Sequence, residues 1–428
     1  MELKKYKLSE IATVEISGVD KKTVDGEISV QLCNFVDVYY NWAITVQMQD
    51  ILMHATAKPK EIERFSLRKG QIAITKDSET RDDIGIPTYI ADDLDNVLLG
   101  YHCALITPNE ELVDGRYLNA FMHTEYIQTY FENNASGSGQ RYTLSNQTIN
   151  QIPILLPNIK KQKEIGRLLS NIDRKIELNK AINHNLEAMA KQLYDYWFAQ
   201  FDFPNEEGKP YKSSGGEMVW NEKLRREIPE GWELQSYGKL CHINKATLSK
   251  KEDIQYIDYL DTSSLTKGVI SETQELDRYQ APSRAQRKVE DLTILYSCVR
   301  PRLLHYGILC NPTTNLIAST GFATIDAIEK EYSLMLYMHL TTLDITEYLA
   351  SIADTAVSSY PSINPSDIAS LETLVPPKCI VRKFQERVEP MFRLKEKIRL
   401  ENTNLIKQRD ELLPLLMNGQ VSVNYDLS

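Results

Sequence analysis

Ile149-Asn-Gln-Ile152-Pro-Ile-Leu-Leu156-Pro157 runs into a long charged stretch ending near residue 193, and Ile368-Ala-Ser-Leu371-Glu-Thr-Leu-Val375-Pro376 runs into a second one ending near residue 416. Each block closes a longer unit of irregular, strand-like sequence. The chain therefore reads as a tandem, one globular unit plus one long helix, written twice. A repeat this long is not a solenoid, whose units are roughly 20–50 residues. It is a duplicated module, and duplication suggests a target with two halves.

Working back from the first block, Lys69-Gly-Gln-Ile72-Ala-Ile74 alternates apolar and polar residues like a half-buried strand. Gly85-Ile-Pro87-Thr-Tyr89-Ile90 and Cys103-Ala-Leu105-Ile106 read as further short strands bounded by turn residues. Tyr117 to Phe131 has helical spacing, and Ala135 to Tyr142 is a loop by its Gly/Ser content. The second unit presents the same parts in the same order. Asp291-Leu-Thr-Ile294-Leu295 matches residues 71–75, Phe322-Ala-Thr-Ile325 matches residues 103–106, and Ser358 to Ile363 replaces the Gly/Ser loop, at an offset near 219. Short strands and helices that do not alternate in a long series predict an α+β class. The expected layout is two mixed domains (1–158 and 230–378), a central helix (159–200), a linker (201–229) and a distal helix (379–422).

In the first helix, Ile165, Leu168, Ile172, Ile176, Asn179, Ile182, Leu186, Met189 and Leu193 step by threes and fours, a heptad seam. The second repeats this from Phe384 to Leu416, with Pro390 predicting a kink or a start there. Asn179 and Asn402 fall in or beside the seams. Such an asparagine either fixes register or lies on the surface. Neither helix has a partner in its own unit, so an antiparallel pair within one chain is expected. A helix of about 35 residues spans roughly 50 Å, enough to set two DNA readers about one helical turn apart. The aromatic run Tyr194-Asp-Tyr-Trp197-Phe198-Ala-Gln-Phe201 either packs the helix base onto a domain or meets a partner, which makes Trp197, Phe198 and Phe201 candidate partner contacts.

With 428 residues, 42% hydrophobic and 25% charged, the chain is long enough for two or three soluble domains. No run approaches a membrane span and no secretory signal opens it, so a cytoplasmic protein is expected. Six scattered cysteines form no Cys-x-x-Cys and fit reduced thiols. The net charge is −10, yet residues 160–195 and 380–419 each carry +3, leaving the rest at −16. Acidic globular parts are not the usual footprint of a nucleic-acid binder, so any DNA surface must be a local patch.

The residues now support a family resemblance. Ile74-Thr-Lys76-Asp-Ser-Glu-Thr-Arg81-Asp-Asp-Ile-Gly85-Ile-Pro87 and Asp291 to Leu303 resemble segments of the target-recognition domains of type I restriction-modification specificity subunits. Leu193 to Phe203 and Arg409-Asp-Glu-Leu-Leu413-Pro414-Leu-Leu-Met-Asn-Gly419 are similar to the ends of that family's central and distal conserved helices. The resemblance covers nearly the whole chain in the family's order. One departure is Lys161-Gln162-Lys-Glu164 and Lys383-Phe-Gln385-Glu386, where the family often has a Glu-Gln pair. The resemblance implies a subunit without catalysis, one recognition domain for each half of a bipartite DNA target. It implies helices that set the unspecified gap and dock two methyltransferase subunits, with motor-nuclease subunits joining for restriction. S-adenosylmethionine, ATP and magnesium would be used by those partners, none bound by this chain.

Chemistry of its own is hard to find. Asn311-Pro312-Thr-Thr lacks the second proline and the aromatic residue of an amino-methyltransferase motif, and no phosphate loop is present. The seven histidines show no ligand spacing, and His102 beside Cys103 reads as structural. Sequence readout needs hydrogen-bonding side chains on loops with cations nearby. Lys76, Arg81, Gln140, Arg141 and Tyr142 qualify in the first unit, and Arg300, Arg302, Ser358, Ser359 and Tyr360 in the second. The rival readings are a coiled-coil scaffold that binds only protein and a methyltransferase–specificity fusion.

Overall fold

The computed structural model describes residues 2–137, 141–249, 252, 254–355 and 361–423. It divides into two units, Met1–Asn179 with Glu401–Ser428, and Lys180–Leu400. Both divisions fall inside the long helices, Ile159–Tyr194 and Lys378–Met417, so each unit contains part of each helix.

In the first unit a five-stranded sheet runs in the order Ala12–Ile16, Cys103–Pro108, Ile72–Thr75, Pro87–Ile90, Ala43–Ile44. Its pairs are antiparallel except the last. Ile72, Ala73, Ile74 and Thr75 are all buried, so this strand is not half-buried as its alternation predicts. Ile72 and Ile74 join Ala104, Ile106, Tyr117 and Phe131 in one core, and Ala73 joins Cys103 and Leu105 in another. A central strand covered on both faces is buried continuously. The second unit repeats the device. Ile294–Ser297 lies between Phe322–Ala327 and Tyr306–Ile308, with Ile294 and Tyr296 in one core and Leu295 in another.

Strand registers give the true alignment of the repeat. Thr75 pairs with Cys103, and Ser297 pairs with Phe322. Lys7 pairs with Pro153, and Ser236 with Glu372. The offset is therefore 229 at the entry strands (Lys7, Ser236), 222 at the central strands (Thr75, Ser297) and 219 only from Cys103 and Phe322 onward. Matching 291–295 to 71–75 slips by two residues. A slip of two leaves every side chain on its own face, so hydrophobic pattern alone does not reveal it.

The repeated sequence blocks are the last strands of two matching ribbons, Lys4–Lys7 with Pro153–Leu156 and Glu233–Ser236 with Glu372–Val375. Each ribbon delivers the chain into a long helix. In the first unit, Asn179 is 1% exposed and its Nδ2 donates to Asn402 Oδ1 and Glu401 Oε2, both at 2.8 Å. Ile165 and Leu169 share a core with Leu413, Leu416 and Met417. In the second unit, Lys395 bridges to Glu187 at 2.7 Å and Tyr194 meets Phe384 at 6.4 Å between ring centroids. Rising numbers on one helix meet falling numbers on the other, so the packing is antiparallel within each unit.

The seam departs from the heptad reading in its second half. Ile182 and Met189 are 42% and 51% exposed, whereas Ala190 and Tyr194 are buried. A helix of 3.6 residues per turn drifts by about 20° per heptad from a 3.5 repeat, which carries the buried face from position 189 to 190. The second helix neither starts nor breaks at Pro390. Val388 and Phe392 are buried on either side of it. Arg393 ties the same turn to Glu389 (2.6 Å), Asp291 (2.9 Å) and Asn311 (2.9 Å). That packing offsets the roughly 3 kcal/mol cost of an interior proline.

In the first unit, the Arg409 guanidinium lies 4.4 Å from the Trp42 ring centre, and His123 stacks on Trp42 at 3.8 Å. Burial, with Arg409 adding to it, lowers the His123 pKa to about 4, while its bond to the Asn119 carbonyl opposes the shift. In the second unit, residues 201–229 are an ordered strap, not a bare linker. Phe203 stacks between Tyr211 (4.6 Å) and Trp232 (5.4 Å), and Met218–Asn221 pairs with Arg226–Pro229.

Candidate nucleic-acid interface

After the central strand of the first unit, Asp77–Ser78 pairs with Tyr142–Thr143, which pairs with Ser136–Gly137. This small sheet brings together the two stretches singled out from sequence. Two glycines permit it. Gly85 has φ +80, and a Cβ there would lie 2.2 Å from the Phe131 ring. Gly137 has φ +154, and a Cβ would lie 2.1 Å from the Arg141 carbonyl oxygen.

Four of the five first-unit candidates gather here; Gln140 lies outside the described residues. Lys76 Nζ sits 3.2 Å from Asp77 and 3.4 Å from Thr143 Oγ1. The Arg81 guanidinium lies 5.2 Å from the Tyr142 ring centre. Arg141 Nη2 lies 3.1 Å and 3.3 Å from the two ring nitrogens of His102 and 3.9 Å from Asp77. His102, structural by its sequence context, pairs its Nδ1 directly with the Asp77 carboxylate and holds a backbone φ of +70. Burial pushes the Asp77 carboxyl up, but bonds from Thr143 and His102 and the Lys76 ammonium outweigh it and hold the group below its ordinary range. One half-buried carboxylate thus organises a patch of cations and an aromatic ring. Sequence spacing could not find it, because 25 residues separate His102 from Asp77.

The second unit uses the same backbone with different chemistry. Lys76 N–H donates to the His102 carbonyl, and Cys298 N–H to that of Gly321. Leu144 N–H donates to the Lys76 carbonyl, and Ile363 N–H to that of Cys298. Asp77 bridges to Thr143, and Val299 to Ser362. Cys298, Val299 and Gly321 therefore stand where Lys76, Asp77 and His102 stand. Arg300 corresponds to Ser78 and not to a first-unit cation; it holds φ +47 and donates its N–H to the Pro361 carbonyl. Arg302 is committed elsewhere, to Glu347 at 3.1 Å and Asp354 at 2.8 Å, which ties its turn to the helix Leu343–Thr355. With its donors engaged by two carboxylates, it is not the free reader the sequence suggests. Ser358, Ser359 and Tyr360 lie outside the described residues.

The proposed partner contacts Trp197, Phe198 and Phe201 are buried to 2%, 7% and 2% exposure in the second unit's own core with Phe384 and Trp232. The alternative reading, packing of the helix base onto a domain, is the one realised. A π-turn at Asp195–Ala199 and the left-handed Phe201 (φ +67) aim these rings inward. Among the described residues there is no group of three or more His, Cys, Asp or Glu placed to hold a metal, and no helix long and apolar enough to cross a membrane.

Comparison with known proteins points one way. Residues 2–188 match the family model of the type I restriction modification DNA specificity domain. The chain is 28% identical to the type I restriction enzyme MjaIX specificity subunit of Methanocaldococcus jannaschii, over 74% of this chain and 71% of that protein. It is 23% identical to the HindI specificity subunit of Haemophilus influenzae, over 83% and 87%. In fold it is similar to the crystal structure of a type I restriction-modification S subunit from M. genitalium, with TM-score 0.59 at 16% identity, over 97% of this chain and 96% of that one. Family match, relatives and fold agree in their direction: the chain is similar to the specificity subunits of type I restriction-modification systems.

Proposed function

We propose that this chain is the non-catalytic, sequence-reading subunit of a type I restriction-modification complex, each unit reading one half of a split DNA target. The observation that carries this reading is the duplicated frame with exchanged chemistry: Lys76, Asp77 and His102 in one unit, Cys298, Val299 and Gly321 in the other, on matched backbone positions. A conserved backbone with different loop side chains is what two readers of unlike sequences require. In the first unit the readers are Lys76, Arg81, Arg141 and Tyr142, with Arg300 the described candidate in the second.

The long helices set the gap between half-sites and dock the methyltransferase subunits. Their outward apolar residues, Leu178, Ile182, Met189, Leu394, Leu400 and Ile406, are exposed and suit docking better than the buried aromatic run. The methyltransferase partners bring S-adenosylmethionine, and motor-nuclease subunits bring ATP and magnesium. The test is a methylation map. The chain is co-expressed with its cognate methyltransferase in a host lacking other methylation, and modified adenines are read at single-base resolution. One split motif with a fixed gap is expected. An intact complex that methylates nothing, or a continuous motif, counts against two-unit reading.

A further inference from the structure

We propose that Arg141 is a base-reading residue of the first unit, taking the O6/N7 edge of a guanine, and that His102 and Asp77 are the residues that position it. The inference rests on the reading of this unit as a DNA reader and adds a specific group, a specific base and a supporting pair. Arg141 is an open cation of the patch, its side chain 65% exposed against 20% for Lys76, while Asp77 is 12% and His102 28% exposed. The three form a graded file from interior to surface. Arg141 Nη2 lies nearly equidistant from His102 Nδ1 (3.1 Å) and Nε2 (3.3 Å), so it rests over the imidazole face, 3.9 Å from the Asp77 carboxylate that His102 Nδ1 also contacts. Nε and Nη1 of Arg141 have no partner among the described residues. One nitrogen is therefore pinned while donors on the same rigid plane remain for a ligand.

That arrangement favours a base edge over a phosphate. A phosphate is served by a mobile point charge, and Lys76 and the stacked Arg81 supply positive charge beside it. A guanine edge presents two acceptors in a fixed plane, which only a held guanidinium fork matches. Holding the fork beforehand removes side-chain entropy that would otherwise be lost on binding. The supports are themselves held. Tyr142, next in sequence to Arg141, is paired with Ser78. The His102 ring lies tilted against Tyr101, 4.0 Å between ring centres, and its backbone is fixed by the Lys76 N–H bond to its carbonyl at 2.8 Å. The second unit, with Val299 and Gly321 at the matched places, has no such file, so the effect is confined to one half-site.

The test uses the assembled complex, the target defined by the methylation map, and competitor duplexes that vary one base pair at a time. Arg141→Lys keeps the charge and loses the fork. One guanine position in a single half-site is expected to lose about tenfold to a hundredfold of its discrimination, with the salt dependence of binding unchanged and the other half-site intact. Asp77→Asn and His102→Gln are expected to relax the same position, Asp77→Asn with unchanged or tighter non-cognate binding because a negative charge is lost. Weaker binding spread evenly over all sequences would make Arg141 a phosphate contact and overturn the assignment. So would full guanine discrimination in Arg141→Lys, or failure of that variant to assemble, which would make the residue part of the fold. If the wild-type complex yields no split motif, the DNA-reading function fails first, and that outcome is seen before any variant is made.

Discussion

His123 gives the first unit a proton-linked weakness that can be measured directly. Its imidazole stacks on Trp42, whose ring also carries Arg409, and burial lowers its pKa to about 4, from an ordinary 6.5. Because the folded-state value is depressed, stability is full above pH 6.5 and is lost as pH falls towards 4. The unfolded chain takes up the proton first. The linkage relation gives a loss of about 0.2 kcal/mol at pH 7 and about 2 kcal/mol at pH 5. The residue keeps some solvent access, so the second figure is a ceiling. His123→Phe keeps the stack and removes the proton. It also leaves the Asn119 carbonyl, bonded at 2.9 Å, without its donor, at about 1 kcal/mol. The variant should therefore be less stable than wild type at pH 7 by roughly 1 kcal/mol and more stable at pH 5 by a similar amount. Trp42 is the one tryptophan in the first unit; Trp197, Trp220 and Trp232 lie in the second. Urea unfolding followed by the emission of Trp42, isolated by replacing the other three, reports this unit. Equal pH slopes for wild type and variant, or a native Trp42 titration centred near pH 6.5, would refute the reasoning. His339, also lowered to about 4 by burial, leaves a parallel slope in the second unit that His123→Phe should not change.

Asn179→Ala removes the bond to Asn402 and should destabilise the first unit by about 1 kcal/mol; a double-mutant cycle with Asn402→Ala should show coupling, and strict additivity would mean the contact has no net worth. Phe198→Ala opens a cavity beside Phe384 and Trp232 and should cost about 3–5 kcal/mol, seen as a lower melting temperature of the chain alone; a variant that melts normally but loses its partners would restore the partner-contact reading. Arg302→Ala breaks two exposed ion pairs worth well under about 1 kcal/mol each and should leave the methylated sequence unchanged, so an altered half-site in the methylation map would return Arg302 to the readers.

What the sequence made legible was whatever depends on local period. The two ribbon strands ending at Leu156 and Val375 recur as similar blocks closed by a proline because both must lead a half-buried strand into a long helix. The antiparallel helix pair was legible because each seam lacked a partner of its own. Sequence pattern and structure part where a contact, not a period, decides. Pro390 forbids one hydrogen bond locally, but Val388, Phe392 and the Arg393 anchor on Asp291 decide that the helix continues. Arg302 and Arg141 are both arginines on exposed loops, and composition cannot separate them. The structure separates them by their counter-charges: Arg302 faces Glu347 and Asp354 with its donors engaged, while Arg141 meets a carboxylate already shared with His102 and Lys76. The acidic balance of the chain is likewise a matter of contacts. A net charge of −10 weighs less against DNA binding where carboxylates of the proposed reading loop are engaged by protein groups, as Asp77 and Asp83 are, while Glu79 and Asp82 stay exposed. Asp77 is held beneath the cations, and Asp83 accepts from the Tyr39 hydroxyl at 2.7 Å. Charge counted along the chain measures neither of these. The sign of the field at a reading surface is set by which side chains face outward.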